Sequence, residues 1–207
     1  LRYEIYELSR SISQSINELF RTMLKRIVAI ASVLLLLLGC SSKINVVNVN
    51  ATVADLTGYG INDNTTLKQI DLNTLNELLD EKGSAVIFFS KPSCPWCQIC
   101  MTQFYQAFLT LNQKLPIYYY DVTLASQEDA DALIALANRL DDVLTKDEEN
   151  KVEFFVPDCM AIINGKAKAH HVATVENHKD ANQPLNKEQS ELLQSYYIDL
   201  FNLLVEK

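Results

Sequence analysis

Ala85-Val86-Ile87-Phe88-Phe89-Ser90-Lys91-Pro92-Ser93-Cys94-Pro95-Trp96-Cys97 is the stretch from which the rest of the chain can be ordered. Its first six residues are a short apolar run rich in β-branched and aromatic side chains, which reads as a buried strand. Lys91-Pro92-Ser93 breaks the run. Beyond it Cys97, Met101, Phe104, Phe108 and Leu111 recur at helical intervals within Pro95 to Leu115, and Pro95 takes the first helical position, where a missing N–H costs nothing. Cys94 then stands at a helix N-terminus, where unpaired backbone N–H groups and the helix dipole favour a thiolate, with Lys91 a second contributor. Cys97 follows one turn later, within the Cα separation of about 4.4–6.8 Å that a disulfide needs. The spacing makes Cys94 the attacking thiol and Cys97 the resolving one.

The same spacing also serves zinc knuckles and inert structural pairs. A zinc site needs about four ligands, and the chain has no separate second C-x-x-C and no H-x-x-x-H to supply the other pair. Cys100 extends the run to C-x-x-C-x-x-C, but Phe104-Tyr105 stands where iron–sulfur ligation wants Cys-Pro. Redox use is therefore favoured, with no metal and no cofactor beyond a Cys94–Cys97 disulfide. Cys100 lies near the apolar stripe with Phe104, where a buried hydrophobe is the ordinary reading and a redox or metal role the alternative. Cys159 alternates onto the strand face of Pro157 and is a candidate to approach the thiols. His170, His171 and His178 read as surface histidines on an edge strand and a loop.

Lys25 and Arg26 precede twelve apolar or small residues, Ile27 to Leu38, and Leu37-Leu38-Gly39-Cys40 is followed by Ser41-Ser42. Twelve residues are too few to span a bilayer that needs about 20, but suit a signal-peptide core of about 7–15. The stretch resembles a bacterial lipoprotein signal, with Leu37 to Cys40 as the lipobox. That resemblance implies lipidation of Cys40 and an extracytoplasmic, lipid-anchored location at a bacterial membrane; an uncleaved short anchor gives the same side. Residues 23–39 are then the signal peptide, 40–65 a tether rich in Asn and Val, and 66–207 the folded domain. Residues 1–22 read as an over-extended translation start.

The chain of 207 residues carries a formal charge of −8. Setting aside Arg2, Arg10, Arg21, Lys25 and Arg26 with Glu4, Glu7 and Glu18 leaves 13 Lys and Arg against 23 Asp and Glu, a charge of −10 from Cys40 onward. An acidic surface disfavours nucleic acid and anionic lipid as partners, so the membrane link is assigned to the lipid alone.

Leu67 to Ile70 is a candidate first strand, and Leu72, Leu75, Leu78 and Leu79 form a helical stripe ended by Gly83. After the strand and helix already described, Ile117 to Val122 is a third strand. Ser126 with Asp129 makes a capping box for a helix whose apolar face is Ala130, Leu133, Ile134, Ala137 and Leu140. A charged loop, Lys146 to Lys151, precedes strands at Val152 to Val156, Asp158 to Ile163 and Lys166 to Thr174, with Asn164-Gly165 a hairpin turn. Asn186 caps a last helix lined by Leu192, Leu193, Tyr196, Leu200 and Leu204.

This β-α-β-α-β-α-β-β-α order, with C-x-x-C between the second strand and second helix, resembles the thioredoxin fold, an α/β architecture with a central mixed sheet flanked by helices. Phe88 to Cys97 is also similar to the glutaredoxin form of the motif. Val156-Pro157 followed by Asn164-Gly165 resembles the thioredoxin X-Pro with its downstream strand. The resemblance implies a cis Pro157 beside the disulfide, with Trp96, Val156 and Pro157 contacting substrate. It also implies a membrane-anchored thiol–disulfide oxidoreductase that acts on protein thiols and disulfides and is reset by a membrane redox partner. The leader and the long helix after Ser126 resemble thioredoxin-like bacteriocin-transport accessory proteins, and a non-catalytic binding protein, either a metal chaperone or a secretion accessory, is the alternative. Three features depart from the family pattern. Phe88 replaces the buried Asp six residues before the first Cys, leaving Glu153 or Asp158 as candidate bases; Trp96 matches neither strong oxidases nor thioredoxin; and no Gly-Gly-x-Asp follows Gly165.

Overall fold

All six residues of β3 (Ala85–Ser90) are buried, which requires a neighbour on each edge and cover on each face. The computed structural model describes residues 43–62, 65–124 and 130–205. Residues 1–22, the signal-like stretch, Cys40, Ser126 and Asp129 lie outside the described residues. β4 (Ile117–Asp121) runs parallel to β3 on one edge, with Tyr119 opposite Phe88 and Asp121 opposite Ser90. β5 (Asp158–Ile163) runs antiparallel on the other, with Cys159 opposite Phe88 and Asp158 opposite Phe89. β2 (Lys68–Gln69) continues the sheet beside β4, β1 (Thr52–Val53) pairs antiparallel with β2, and β6 (Lys166–Val172) pairs antiparallel with β5. The order is β1-β2-β4-β3-β5-β6.

Side chains alternate across a strand, so β3 feeds two cores. Val86 and Phe88 face α2 (Pro95–Leu109) and α4 (Lys187–Asn202), where Met101, Phe104, Leu193, Tyr197 and Phe201 are buried. Ile87 and Phe89 face α1 (Leu72–Asp80) and α3 (Ala130–Arg139), where Leu75, Leu78, Leu136 and Leu140 are buried. Each fully buried side chain of this size contributes about 1.5–3 kcal/mol, so the two faces of this one strand anchor these four helices. The mixed sheet, flanked by helices in this order, is the thioredoxin fold.

Local chemistry sets the joints. Asp71 caps α1 by accepting the Thr74 N–H at 2.8 Å. The same helix ends with Lys82 in the left-handed region at φ 54, its N–H bonded to the Leu79 carbonyl, while the Gly83 N–H reaches Leu78 O at 2.7 Å. This is the paired C-terminal cap with Lys82, not Gly83, in the left-handed place. Gly83 serves close approach instead, since a Cβ there would lie 3.0 Å from the Leu78 carbonyl oxygen and 3.1 Å from Val47. Asn164 and Gly165, at φ 53 and 77, make the expected tight hairpin between β5 and β6. The Asn186 side chain and Gln189 form a reciprocal capping box at α4.

Several expected elements differ. Val152 to Val156 is not a strand; Val152 makes a single bridge to Lys146, because β5 already has β3 and β6 on its two edges. Phe154 from that segment packs edge-on against Phe89 instead, at 5.0 Å. The buried stripe of α3 runs through Leu136 and Ala137 and on to Leu140 just past its end, leaving Ile134 60% exposed. On α4, Tyr197 and Phe201 are buried and Leu192 is exposed. α2 stops at Leu109, where the Thr110 N–H and hydroxyl turn back to Ala107 O.

The tether assignment does not extend over residues 43–62. The compact unit begins at Lys43, β1 joins the sheet, and Ala54, Leu56 and Tyr59 are buried in the α2 and α4 core. A short helical turn, Thr57–Tyr59, packs against the loop ahead of Cys94 so closely that a Cβ on Gly58 would lie 2.8 Å from Pro92.

Candidate active site

Cys94 is the N-cap of α2, with extended backbone at φ −93 and ψ 121, and its Sγ accepts the Cys97 N–H at 3.3 Å. Pro95 takes the next position, so the sulfur does part of the work a Ser or Asp oxygen does at other helix starts. The loop is held from behind: the Cys94 N–H donates to Lys91 O at 3.2 Å. Gln98 Nε2 bonds both Pro92 O and Gly58 O, the latter at 2.8 Å. The Lys91 backbone acts on the Cys94 N–H and on the Cys97 thiol, and Lys91 lines a cleft with Val122, Leu133, Phe154 and Val156.

The two thiols are unlinked and differ in access. Cys94 is half-buried, while Cys97 is fully buried. Burial, then the neighbouring Cys94, pushes the Cys97 thiol up to about 12, against a smaller lowering by the Ser90 hydroxyl and the Lys91 backbone. An accessible sulfur on an open helix end beside a protonated, enclosed one suits a nucleophile and its resolver.

Val156-Pro157 is cis, as the sequence pattern implied. Cys94 Sγ lies 3.9 Å from the Val156 carbonyl oxygen, and Pro157 O accepts the Ala173 N–H at 2.9 Å, tying this turn to the end of β6. Trp96 is half-buried and meets His178 edge-on at 5.4 Å. The structure thus gathers Cys94, Cys97, Trp96, Val156 and Pro157 at one end of the sheet.

The remaining candidates are placed otherwise. Cys100 lies on the buried side of α2, its thiol donating to Ala173 O at 3.1 Å, and burial pushes it up to about 12. Cys159 is fully enclosed opposite Phe88, and burial raises it well above the ordinary thiol range. Among the described residues no group of three or more His, Cys, Asp or Glu side chains is arranged to hold a metal ion. Phe88 stacks on Phe104 at 4.4 Å, an apolar contact where the related pattern has a carboxylate. Asp158 pairs with Phe89 in the ladder and so faces away from Cys97; its partner is His170 Nδ1 at 3.0 Å. His178 is not a surface residue: its Nε2 bonds Gln183 O at 2.9 Å and its Nδ1 meets Thr174 Oγ1 at 3.0 Å. A carbonyl accepts only, so in the neutral ring Nε2 carries the hydrogen and Nδ1 accepts from Thr174.

Three residues of the site escaped sequence reading: Ser90, Tyr59 and Tyr119. The Tyr59 hydroxyl donates to Ser90 Oγ at 2.8 Å and lies 3.1 Å from the Tyr119 hydroxyl. Ser90 carried a signal, as the polar end of an otherwise apolar strand; Tyr59 carried none, because its partners are 31 and 60 residues away.

No family model and no curated protein matches the chain. The thioredoxin fold and the dithiol geometry therefore define the class of site, and functional assignment rests on the residues themselves.

Proposed function

We propose that this chain is a thiol–disulfide oxidoreductase working through the Cys94–Cys97 pair. The observation that carries the reading is the asymmetry of the two sulfurs: Cys94 is accessible at the α2 N-cap beside the Val156 carbonyl, and Cys97 is enclosed one turn below with its backbone N–H on the Cys94 sulfur. The Cys94 thiolate attacks a substrate disulfide, one substrate sulfur leaves as a thiolate, and a mixed disulfide remains. Cys97 then attacks Cys94, releasing the second substrate thiolate and closing the Cys94–Cys97 disulfide. Run backwards, the cycle donates a disulfide. The substrate segment lies along Val156 and Pro157, with Trp96 on its flank. A membrane redox partner resets the pair.

The lipobox-like Leu37 to Cys40 supports an extracytoplasmic address with lipidation at Cys40. Membrane fractionation of Cys40→Ser with acyl mass analysis tests it; unchanged fractionation without acyl mass removes the anchor from the proposal.

Covalent trapping tests the chemistry. Cys97→Ser accumulates mixed disulfides with partner proteins, while Cys94→Ser accumulates few, because the remaining thiol is buried. Adding Cys100→Ser to Cys97→Ser leaves trapping equal or higher. Equal trapping by the two single variants overturns the assigned roles; no trapping, with metal bound to the purified wild type, replaces the reading with a metal chaperone.

A further inference from the structure

Cys97 has to lose its proton inside a closed core before it can attack Cys94. At the level of Phe88 the ladder supplies Cys159 and Tyr119, not a carboxylate, and the polar side chains acting on the Cys97 sulfur are Cys94 and Ser90. From Ser90 a line of hydroxyls leads outward. Tyr59 meets Ser90 at 2.8 Å, Tyr119 meets Tyr59 at 3.1 Å, and the Asp121 carboxylate stands two residues beyond Tyr119 on the same face of β4. Asp121 is only half-buried, and its Oδ1 accepts the Thr123 N–H at 2.9 Å and the Thr123 hydroxyl at 2.7 Å. The line is built by the fold: Ser90 follows Phe88 by two along β3, Asp121 follows Tyr119 by two along β4, and the two pairs are in register, so all project to the α2 face. Tyr59 reaches in from the segment ahead of β2 and closes the one gap. Ser90, Tyr59 and Tyr119 are each at least 94% enclosed, and a buried chain of hydroxyls has no use in an apolar core unless every member is satisfied, as here.

We propose that Ser90, Tyr59, Tyr119 and Asp121 form the proton path that deprotonates Cys97 as it resolves the Cys94 mixed disulfide. Ser90 is the hydroxyl that acts on the reacting sulfur; Tyr59 and Tyr119 are positioning residues that hold and pass the proton. The inference rests on the dithiol reading above. The Cys97 thiol hydrogen moves to Ser90 Oγ, the Ser90 hydrogen to Tyr59, the Tyr59 hydrogen to Tyr119 and the Tyr119 hydrogen to Asp121. In the structure Tyr59 donates to Ser90, so before the transfer the Tyr59 hydrogen swings to Tyr119 and the Ser90 hydrogen to Tyr59; after it each hydroxyl again points its hydrogen back toward Cys97. The Cys97 electron pair forms the bond to Cys94 Sγ, the bond from Cys94 to the substrate sulfur breaks, and the substrate leaves as a thiolate that takes a proton from water. Asp121 returns its proton to solvent. The dithiol is oxidised by two electrons and the substrate disulfide reduced by two, with no other reactant.

The test separates the two attacks. With 5,5′-dithiobis(2-nitrobenzoate), the first equivalent of coloured thiolate reports attack by Cys94 and the second reports attack by Cys97 on the adduct. In Tyr59→Phe, which keeps the ring, the second phase slows relative to the first by roughly 100-fold, the lower end of the range for positioned proton transfer, and its solvent deuterium isotope effect falls. Asp121→Asn, at the half-buried end of the path, gives the same split and serves if Tyr59→Phe does not fold. A wild-type ratio of the two phases in both variants overturns the proton path and leaves the oxidoreductase reading intact. Both phases slowing together overturns it in favour of a purely structural role. Absence of a second phase in the wild type overturns the dithiol cycle itself.

Discussion

Two ionisable groups are buried on opposite faces of the sheet and are satisfied in different ways. On the α2 face, Cys97 is enclosed as a neutral thiol among hydroxyls that continue to a half-buried carboxylate. On the α3 face, Asp158 is fully buried at the head of β5 with one partner, His170, while its Oδ1 has no hydrogen-bond partner among the described residues. Burial raises Asp158, and the hydrogen bond that His170 donates to the Asp158 carboxylate raises His170. A thiol tolerates enclosure because its neutral form costs little to desolvate, whereas a carboxylate needs a counter-charge or a proton. The first arrangement leaves its proton free to move; the second fixes one at the edge of the sheet.

Cys94→Ser breaks the comparison at its most sensitive point. Disulfide exchange should be lost altogether, since the other thiol of the pair is enclosed. Timed alkylation sharpens the point: at pH 7.5 a thiol near 12 is ionised to only about one part in 30,000. Cys94 should therefore be modified by iodoacetamide at least about 100-fold faster than Cys97, as read by mass spectrometry. Comparable rates contradict the division between attacker and resolver.

His170→Ala strikes the other face. Breaking a buried pair costs about 3–5 kcal/mol; with the imidazole 22% exposed, a loss of about 2–3 kcal/mol in urea unfolding is expected. The pH dependence has a definite sign. Both members are raised on folding, so the folded state holds their protons more tightly, and the contribution is complete below the unfolded values and declines as pH rises through the folded ones. Stability in the wild type should fall on the alkaline side of the usual histidine value of 6.5, and Asp158→Asn should flatten that slope. A slope unchanged in Asp158→Asn would show that other groups set it.

Gly165→Ala tests the hairpin that fixes β5 and β6, the strands carrying this pair. At φ 77, with an added Cβ 2.8 Å from Leu79 O and 2.9 Å from Lys82 Cα, it should cost about 1–3 kcal/mol by chemical denaturation. Asp80→Asn has the smallest expected effect. Its partner Arg139 is 2.6 Å away, but the carboxylate is 71% exposed, so its loss should register below about 1 kcal/mol and shrink further in salt.

Sequence alone determined what local rules govern: the buried β3, Pro95 and Cys94 at a helix start, the Asn164-Gly165 turn, the α4 cap and the order of elements from β2 to α4. It also put Cys94, Cys97 and Pro157 at the site, because the two cysteines share one helical turn and the family resemblance placed Pro157 beside them. Only the tertiary structure decided that residues 43–62 belong to the domain, that Val152 to Val156 has no free edge to pair with, that Ile134 turns outward and that His178 is buried. It also decided that Asp158 faces away from Cys97 while Tyr59 closes the hydroxyl line from Ser90 to Tyr119. The physical reason is range. Caps, turns and periodicity are set by residues within about five positions of one another, whereas which strand edge is free, which helix face is covered and which hydroxyl meets which depend on segments that come together only when the sheet is assembled.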